Sequence, residues 1–446
     1  MSASRPKLPA LATVERVAWR SGLVLTAVLL PLDRLPQTWA RPLLWLSLLL
    51  LLVRPVVALL QPVQLWQQLL RRRALVASGV LGGVVVAAWL SVPGALDRSM
   101  AAGAAITLTW LLLRAWLLAL WLDKADLVLL AKAVIVSGLG VALLGWLQAA
   151  ADLAGWPASI TGLLPRYSHT ATYIIPRPQS VALEPLYLAH YLLIPLGLLV
   201  AYRLSRRRRL AAAAGLTITS LIVATGSRGG LLGLMALTSL AIIASLWRRP
   251  QARKAGMIIA LTGGVAALAL GLVIWRQYQS RPVAKDVKVE RTWRSALAHY
   301  VDFNDRSANT RYELWPAAVA QWRQHPWTGV GLYNSRLALH PAAVAAGVPV
   351  EQLQPFNNDY LAWLAETGLV GMAAALGLGA VLVLAARQLW RQWLVWGSGW
   401  SLALAGMAVQ ALTFHSLLLL RTWVVVGALL GAFVAQQVTK RDEVAL

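Results

Sequence analysis

Apolar residues run along this chain in blocks too long for the interior of a soluble domain. Leu, Ala and Val dominate stretches of 18 or more residues, such as 127–151 and 359–386. At the helical rise such a stretch covers roughly 30 Å of hydrocarbon. None of the blocks alternates with a period of two, so they read as helices and not as barrel strands. The pattern predicts spans near 17–32, 42–60, 74–92, 100–121, 127–151, 180–202, 210–226, 229–247, 255–275, 359–386, 393–415 and 421–438. The fold class that follows is an all-α polytopic membrane protein with about 12 transmembrane helices.

Composition agrees. Apolar residues make up 59% of the 446 residues and charged ones only 13%, where a soluble surface needs charges near a quarter of the chain. Mean hydropathy is +0.63. The formal net charge of +24 would suggest nucleic acid in a soluble protein. Here most cations sit in short loops between spans, where they set orientation, so membrane lipids are the expected surroundings and no nucleic acid is. Arg71–Arg73, Arg206–Arg209, Arg248, Arg249, Arg253 and Lys254, Arg387 and Arg391, and Lys440 and Arg441 all fall on one side. That side, which also holds both termini, is expected to be cytoplasmic. Arg5, Lys7, Arg16 and Arg20 precede the first apolar run without an evident small-residue cleavage site, so the run reads as a retained span. The chain has no cysteine, which excludes disulfides and thiol chemistry.

Two polar segments interrupt the pattern on the other side. One covers about 152–179. The second, 276–358, has ten Lys and Arg against six acids, on the side that normally avoids positive charge. Long loops escape that rule, and a solvated linker is the plain alternative, yet a cationic outer domain suits an anionic ligand. The chain is therefore divided into 1–275 (spans one to nine), 276–358 (a mainly helical periplasmic loop domain) and 359–446 (spans ten to twelve).

Several polar residues stand where apolar ones are expected. Arg228 lies in Thr225-Gly226-Ser227-Arg228-Gly229-Gly230, a very short turn between two spans. An arginine within a span costs about 2.5–3.5 kcal/mol on insertion scales, so one retained there usually has a partner. The neighbouring glycines would let an anion approach backbone and helix N-terminus; a turn arginine reaching lipid phosphates is the plain alternative. Arg311 sits in Asn309-Thr310-Arg311-Tyr312-Glu313-Leu314-Trp315, ahead of a helix with Trp315, Ala318, Val319 and Trp322 on one face. Asn357-Asn358-Asp359-Tyr360-Leu361 enters the tenth span, with Glu366 seven residues in; polar residues there are usually caps. Glu184 stands at the outer end of span six, as a base, a sugar-hydroxyl ligand or a first-turn acid. His169, His299, His325 and His340 are expected outside, and His190 and His415 within spans. No HExxH, Walker, GxSxG or Asp-x-Asp pattern occurs, so neither a metal nor a cofactor is expected and a primary pump is disfavoured.

Taken in order, the Ser-Arg-Gly turn, Arg311-Tyr312-Glu313-Leu314-Trp315, His325-Pro326-Trp327-Thr328-Gly329-Val330-Gly331, and Asn358-Asp359-Tyr360-Leu361 with Glu366-Thr367-Gly368-Leu369-Val370-Gly371 resemble the O-antigen ligase and polymerase superfamily, most closely the O-antigen ligases. The resemblance covers residues 177–375. It implies an undecaprenyl pyrophosphate-linked O-antigen donor, a lipid A-core acceptor, and a site at the periplasmic face of the bacterial inner membrane. It places the two family arginines at Arg228 and Arg311, gripping the donor pyrophosphate together with Asn358. Asn357 stands where these ligases carry a histidine, so the acid–base role passes to Asn357 by hydrogen bonding alone or to His340. Asp359 and Glu184 are further candidates for the base. Two arginines could take the place of a divalent metal, because each fork grips phosphate oxygens and offsets the developing charge. Attack from the face opposite the leaving group would invert the anomer. A glycan polymerase and a protein O-oligosaccharyltransferase share the pattern, the latter typically with a larger outer C-terminal region. A secondary transporter or lipid flippase would place its charges at the midplane on broken helices, whereas these lie at the outer face.

Overall fold

The structure is a computed structural model describing residues 9–32, 37–168, 176–206, 209–247, 306–345, 347, 353, 356–392 and 395–444. Among them no strand occurs. The helices are α1 (Pro9–Leu29), α2 (Gln37–Ala58), α3 (Pro62–Leu69), α4 (Arg72–Leu90), α5 (Arg98–Trp121), α6 (Lys124–Leu153), α7 (Ala158–Thr161), α8 (Pro185–Arg206), α9 (Arg209–Ala224) and α10 (Arg228–Trp247). They continue with α11 (Arg306–Gln324), α12 (Ser335–Leu339), α13 (Pro341–Ala345), α14 (Asp359–Arg391), α15 (Val395–Gln410) and α16 (Leu420–Val444).

Each expected span within the described residues coincides with a helix. The span expected at 255–275 and the first part of the loop domain, 276–305, lie outside the described residues. Among the described residues, six helices are long and apolar enough to cross a bilayer: α4, α5, α6, α8, α10 and α14. The later part of α2 and α3 form one more apolar pair, bent by 113° at the break. α9 and residues Leu420–Gln436 of α16 are apolar but shorter. In the described part of the loop segment, α11, α12 and α13 are helical and residues 325–334 between them are not.

Local chemistry sets the helix starts. Asp97 caps α5 by accepting from Met100 N (2.9 Å), and Asp123 caps α6 by accepting from Asp126 N (2.7 Å). Pro185 opens α8, where its missing N–H costs nothing.

α8 lies at the centre, and Leu188 to Ile194 are fully buried. Small residues let helices approach closely around it, the usual device where lipid removes any hydrophobic drive between helices. A Cβ added at Gly197 of α8 would lie 2.7 Å from Ala403 N of α15, and one at Gly233 of α10 would lie 2.7 Å from Gly406 O of the same helix. Gly427 of α16 meets Ala115 of α5 in the same way.

At the end of the bundle away from Arg228, a charged network ties α1, α2 and α6. Asp126 is fully buried and accepts from Trp19 Nε1 (2.9 Å), Arg20 Nε (3.3 Å) and Arg54 Nη1 (2.7 Å). Arg54 also donates to Glu15 (3.1 Å) and to Trp121 O (2.7 Å).

Candidate functional site

Five stretches of sequence come together at the Arg228 end. The turn between α9 and α10 comes first. Thr225 Oγ1 donates to Ile222 O (2.6 Å) and accepts from Ser227 N (3.2 Å). Ser227 caps α10 by accepting from Gly230 N (3.0 Å). Arg228 is thereby the first residue of α10, half-buried, with its charge added to the positive end of a helix dipole. The glycines around it serve packing. A Cβ at Gly230 would collide with Ala189 of α8, and one at Gly229 with Thr413 beyond α15.

Arg177 clasps this turn from the 152–184 segment. Its Nε donates to Thr225 O (2.8 Å) and its Nη2 to Gly226 O (3.3 Å). Gly226 has φ +62°, a region that favours glycine. A Cβ there would also lie 2.9 Å from Arg177 Nε. The segment carrying Arg177 is itself pinned: Gln148 Oε1 accepts from Gln179 N (3.0 Å) and Ser180 N (2.9 Å), and Asp152 accepts from Ser168 Oγ (2.7 Å).

The third stretch joins two motifs that are far apart on paper. α14 is broken at Gly368, which has φ +62° and ψ −157°. The 326–331 segment fills the break. Val330 N donates to Ala365 O (3.0 Å), Gly331 N to Glu366 O (3.0 Å), Leu369 N to Pro326 O (2.8 Å) and Val370 N to Trp327 O (3.1 Å). The His325–Gly331 and Glu366–Gly371 motifs are thus one interlocked unit. Ser91 and the backbone of Leu96 and Asp97 hold the following residues against the α4–α5 turn.

α11 packs on the outer part of α14, with Leu314 and Ala318 against Phe356, Ala362 and Ala365. Its fully buried line is Leu314, Ala318 and Gln321; Trp315, Val319 and Trp322, expected to lead that face, flank it half-buried. Arg311 lies in α11, its side chain outside the described residues.

The fifth stretch is the turn 411–419. The apolar run expected to continue helically to 415 stops as a helix at Gln410. Asp359 N donates to Ala411 O (2.9 Å). The Asp359 carboxylate accepts from Ser416 N (2.9 and 3.0 Å) and Ser416 Oγ (2.5 Å). His415 Nδ1 lies 3.5 Å from Asp359 Oδ1.

The sequence candidates therefore fare differently. Arg228, Asp359 and the Asn357-Asn358 pair share one end of the bundle. Asn358 is committed as the cap of α14, its Oδ1 accepting from Tyr360 N and Leu361 N (both 3.1 Å). Asn357 holds a left-handed φ of +50°. Glu184 directly precedes α8, its carbonyl accepting from Tyr187 N and Leu188 N. His340 ends α12, half-buried. Glu366 is buried and bonded to Ser335 Oγ.

Sequence reasoning missed the clasp role of Arg177, the His415–Asp359 contact, and buried Arg421, whose guanidinium lies 5.7 Å from the Tyr187 ring centroid. Arg421 could have been singled out as an ionisable residue opening an apolar run. The other two carried no local signal.

A multi-pass helical membrane protein with a convergent polar cluster at one end of its bundle is the class that fold and site define. Residues 213–376 match the family model Wzy_C, O-Antigen ligase, so over that stretch the chain is similar to the O-antigen ligase superfamily, a group of membrane glycosyltransferase-like enzymes. The match spans the Arg228 turn, Arg311 and the outer part of α14. It stops short of Arg177, His415 and Arg421. No curated protein matches the chain.

Proposed function

We propose that the chain is an O-antigen ligase, transferring a glycan from undecaprenyl pyrophosphate to the lipid A-core oligosaccharide at the periplasmic face of the inner membrane. The observation that carries this reading is the Arg228 turn within the family-matched stretch. It presents a guanidinium at a helix N-terminus, clasped in place from a second segment. A pyrophosphate leaving group gains negative charge as the sugar C1–O bond breaks, and prepositioned donors stabilise such charge without reorganising. Arg228 and Arg311 are assigned the donor pyrophosphate, in the absence of any divalent metal. The acceptor hydroxyl attacks C1 from the opposite face, which inverts the anomer. The twelve-span topology, with both termini cytoplasmic and 276–358 periplasmic, belongs to the same reading.

The test is transfer by the purified full chain from a lipid-linked glycan donor to lipid A-core, with and without EDTA. Glycan on lipid A-core in both conditions supports the reading. Extension of the donor by its own repeat instead makes the chain a polymerase. Loss of transfer in EDTA with restoration by Mg²⁺ overturns the metal-free part. Each charge-assisted contact is worth about 1.5–3 kcal/mol, so Arg228→Ala and Arg311→Ala should each slow transfer by about one to two orders of magnitude. Lysine, which lacks the fork, should recover only part of the rate. An inserted alanine variant at near wild-type rate at limiting donor would make that arginine a turn or surface residue.

A further inference from the structure

Transfer from a pyrophosphate needs a group to take the acceptor hydroxyl's proton, and four residues named from sequence compete for it. Chemistry removes one and the structure weakens two, which leaves His340 and any base the sequence did not name. Asn357 has no basic nitrogen near neutral pH. Asp359 is 5% exposed and already accepts three hydrogen bonds from Ser416. Glu184 sits at the entry of α8, where a carboxylate favours the helix dipole.

His415 has what these lack. It stands in the 411–419 turn, beside the carboxylate of Asp359, with Nδ1 3.5 Å from Oδ1. A carboxylate facing Nδ1 favours the proton on that nitrogen and leaves the Nε2 lone pair to accept another. Ser416, next in sequence, fixes the carboxylate, so the group that faces Nδ1 at ion-pair distance is itself held. The turn is also in the right place. Thr413, two residues earlier, packs on Gly229 beside Arg228, and Ala411 O anchors the first residue of α14. Among the described residues, its charged and titratable neighbours include Asp359 on α14, Tyr333 with its ring centroid 6.5 Å from the imidazole, and Arg336 behind Tyr333 at 4.7 Å. His190 packs against Phe414, Phe414 against Tyr187, and Arg421 over Tyr187. His190 itself is fully buried against Phe414, which removes it as a competitor. His415 keeps 9% of its side chain at the surface.

We propose that His415, oriented by Asp359, is the catalytic base that accepts the proton of the acceptor hydroxyl. In that step the acceptor oxygen bonds to the sugar C1 as its proton passes to Nε2. The C1–O bond to the pyrophosphate breaks with its electron pair on the phosphate oxygen, at the arginines. The imidazolium then returns its proton to water. Asp359 is a positioning residue that acts through His415. The assignment rests on the transferase reading above.

The test compares wild type, His415→Gln, Asp359→Asn and the double variant as purified full chains, in kcat, donor KM and thermal midpoint. Glutamine keeps hydrogen bonding and similar bulk but has no basic nitrogen. A positioned base contributes about 10²- to 10⁴-fold, so His415→Gln should lose at least about 100-fold in kcat with donor KM within about threefold. Asp359→Asn should lose less, and the double variant should be no slower than His415→Gln, because the two act as one unit. A wild type that transfers no glycan overturns both this assignment and the transferase reading. A wild type that transfers, with His415→Gln close to it in kcat, overturns the base alone. So does a loss confined to donor KM or thermal midpoint, or losses that add in the double variant.

Discussion

Arg177 gives the sharpest quantitative test of how the Arg228 turn is held. Replacing it with alanine removes two guanidinium contacts to backbone carbonyls, 2.8 Å to Thr225 O and 3.3 Å to Gly226 O. Hydrogen bonds from charged donors are worth about 1.5–3 kcal/mol each. The second is long and Arg177 is half-buried, so the pair is taken at about 2 kcal/mol together. At 1.4 kcal/mol per factor of ten, the turn's native geometry loses about 30-fold against its alternatives. The turn sets the first residue of α10, so the loss should reach the donor step and slow transfer by up to about 30-fold at limiting donor. Lysine reaches one carbonyl but not two, and Arg177→Lys should recover about half of that loss on a logarithmic scale. The assay is transfer rate for both variants, with insertion and thermal midpoint checked. A folded Arg177→Ala chain within about twofold of wild type would refute the clasp.

Two further outcomes follow from the packing. Arg54→Met strips the buried Asp126 carboxylate of its shortest cationic contact, 2.7 Å; Arg20 (3.3 Å) and Trp19 (2.9 Å) still face the carboxylate, so the cost stays below the about 3–5 kcal/mol of an uncompensated buried charge, the thermal midpoint in detergent should drop by a few degrees while donor KM stays put, and an unchanged midpoint sinks the network's role. Gly368→Ala forces a Cβ onto the Trp327 backbone at φ +62°, so folded yield should collapse; a normal yield with normal transfer would mean that the two motifs do not interlock as described.

Much of the helical layout was legible because it depends on apolar length alone. Blocks such as 100–121 and 127–151 need no tertiary information to be read as spans; that Asp97 and Asp123 cap their starts came from the structure. The turn at Ser227-Arg228 was legible for the opposite reason, as a charge where lipid penalises one. What could not be read were relations between distant segments. The apolar run through 411–415 hides the end of α15 because Leu412 and Phe414 continue the hydrophobic pattern, while Thr413, His415 and Ser416 turn away to bond. The role of Gly368 depends on residues 326–331, some 40 positions earlier, and no local pattern announces a backbone that fills another helix's break. The expected role of Gly229 and Gly230 as an anion's approach path gave way to helix packing, since a glycine's neighbours are a tertiary fact. His340 drew attention only because it stood near the Asn357 position in sequence; His415 reaches Asp359 from 56 positions further along the chain.

These tethers share a physical logic. A site that works by stabilising developing charge gains most when its dipoles are fixed before the reaction begins, because reorganising them would consume the stabilisation they give. Several of the tethers at the Arg228 end finish on backbone. Arg177 donates to the carbonyls of residues 225 and 226, the 326–331 segment bonds to the exposed backbone of a broken helix, and Asp359 accepts from Ser416 N. Backbone partners cannot swing away as side chains can, so the geometry they impose is stiffer than that of an ion pair between two long side chains. At the opposite end the contacts around Asp126 run mostly between side chains, which hold helices together without having to fix a reacting atom. On the proposed reading, the backbone contacts around Arg228 serve the reaction and the side-chain network around Asp126 serves stability.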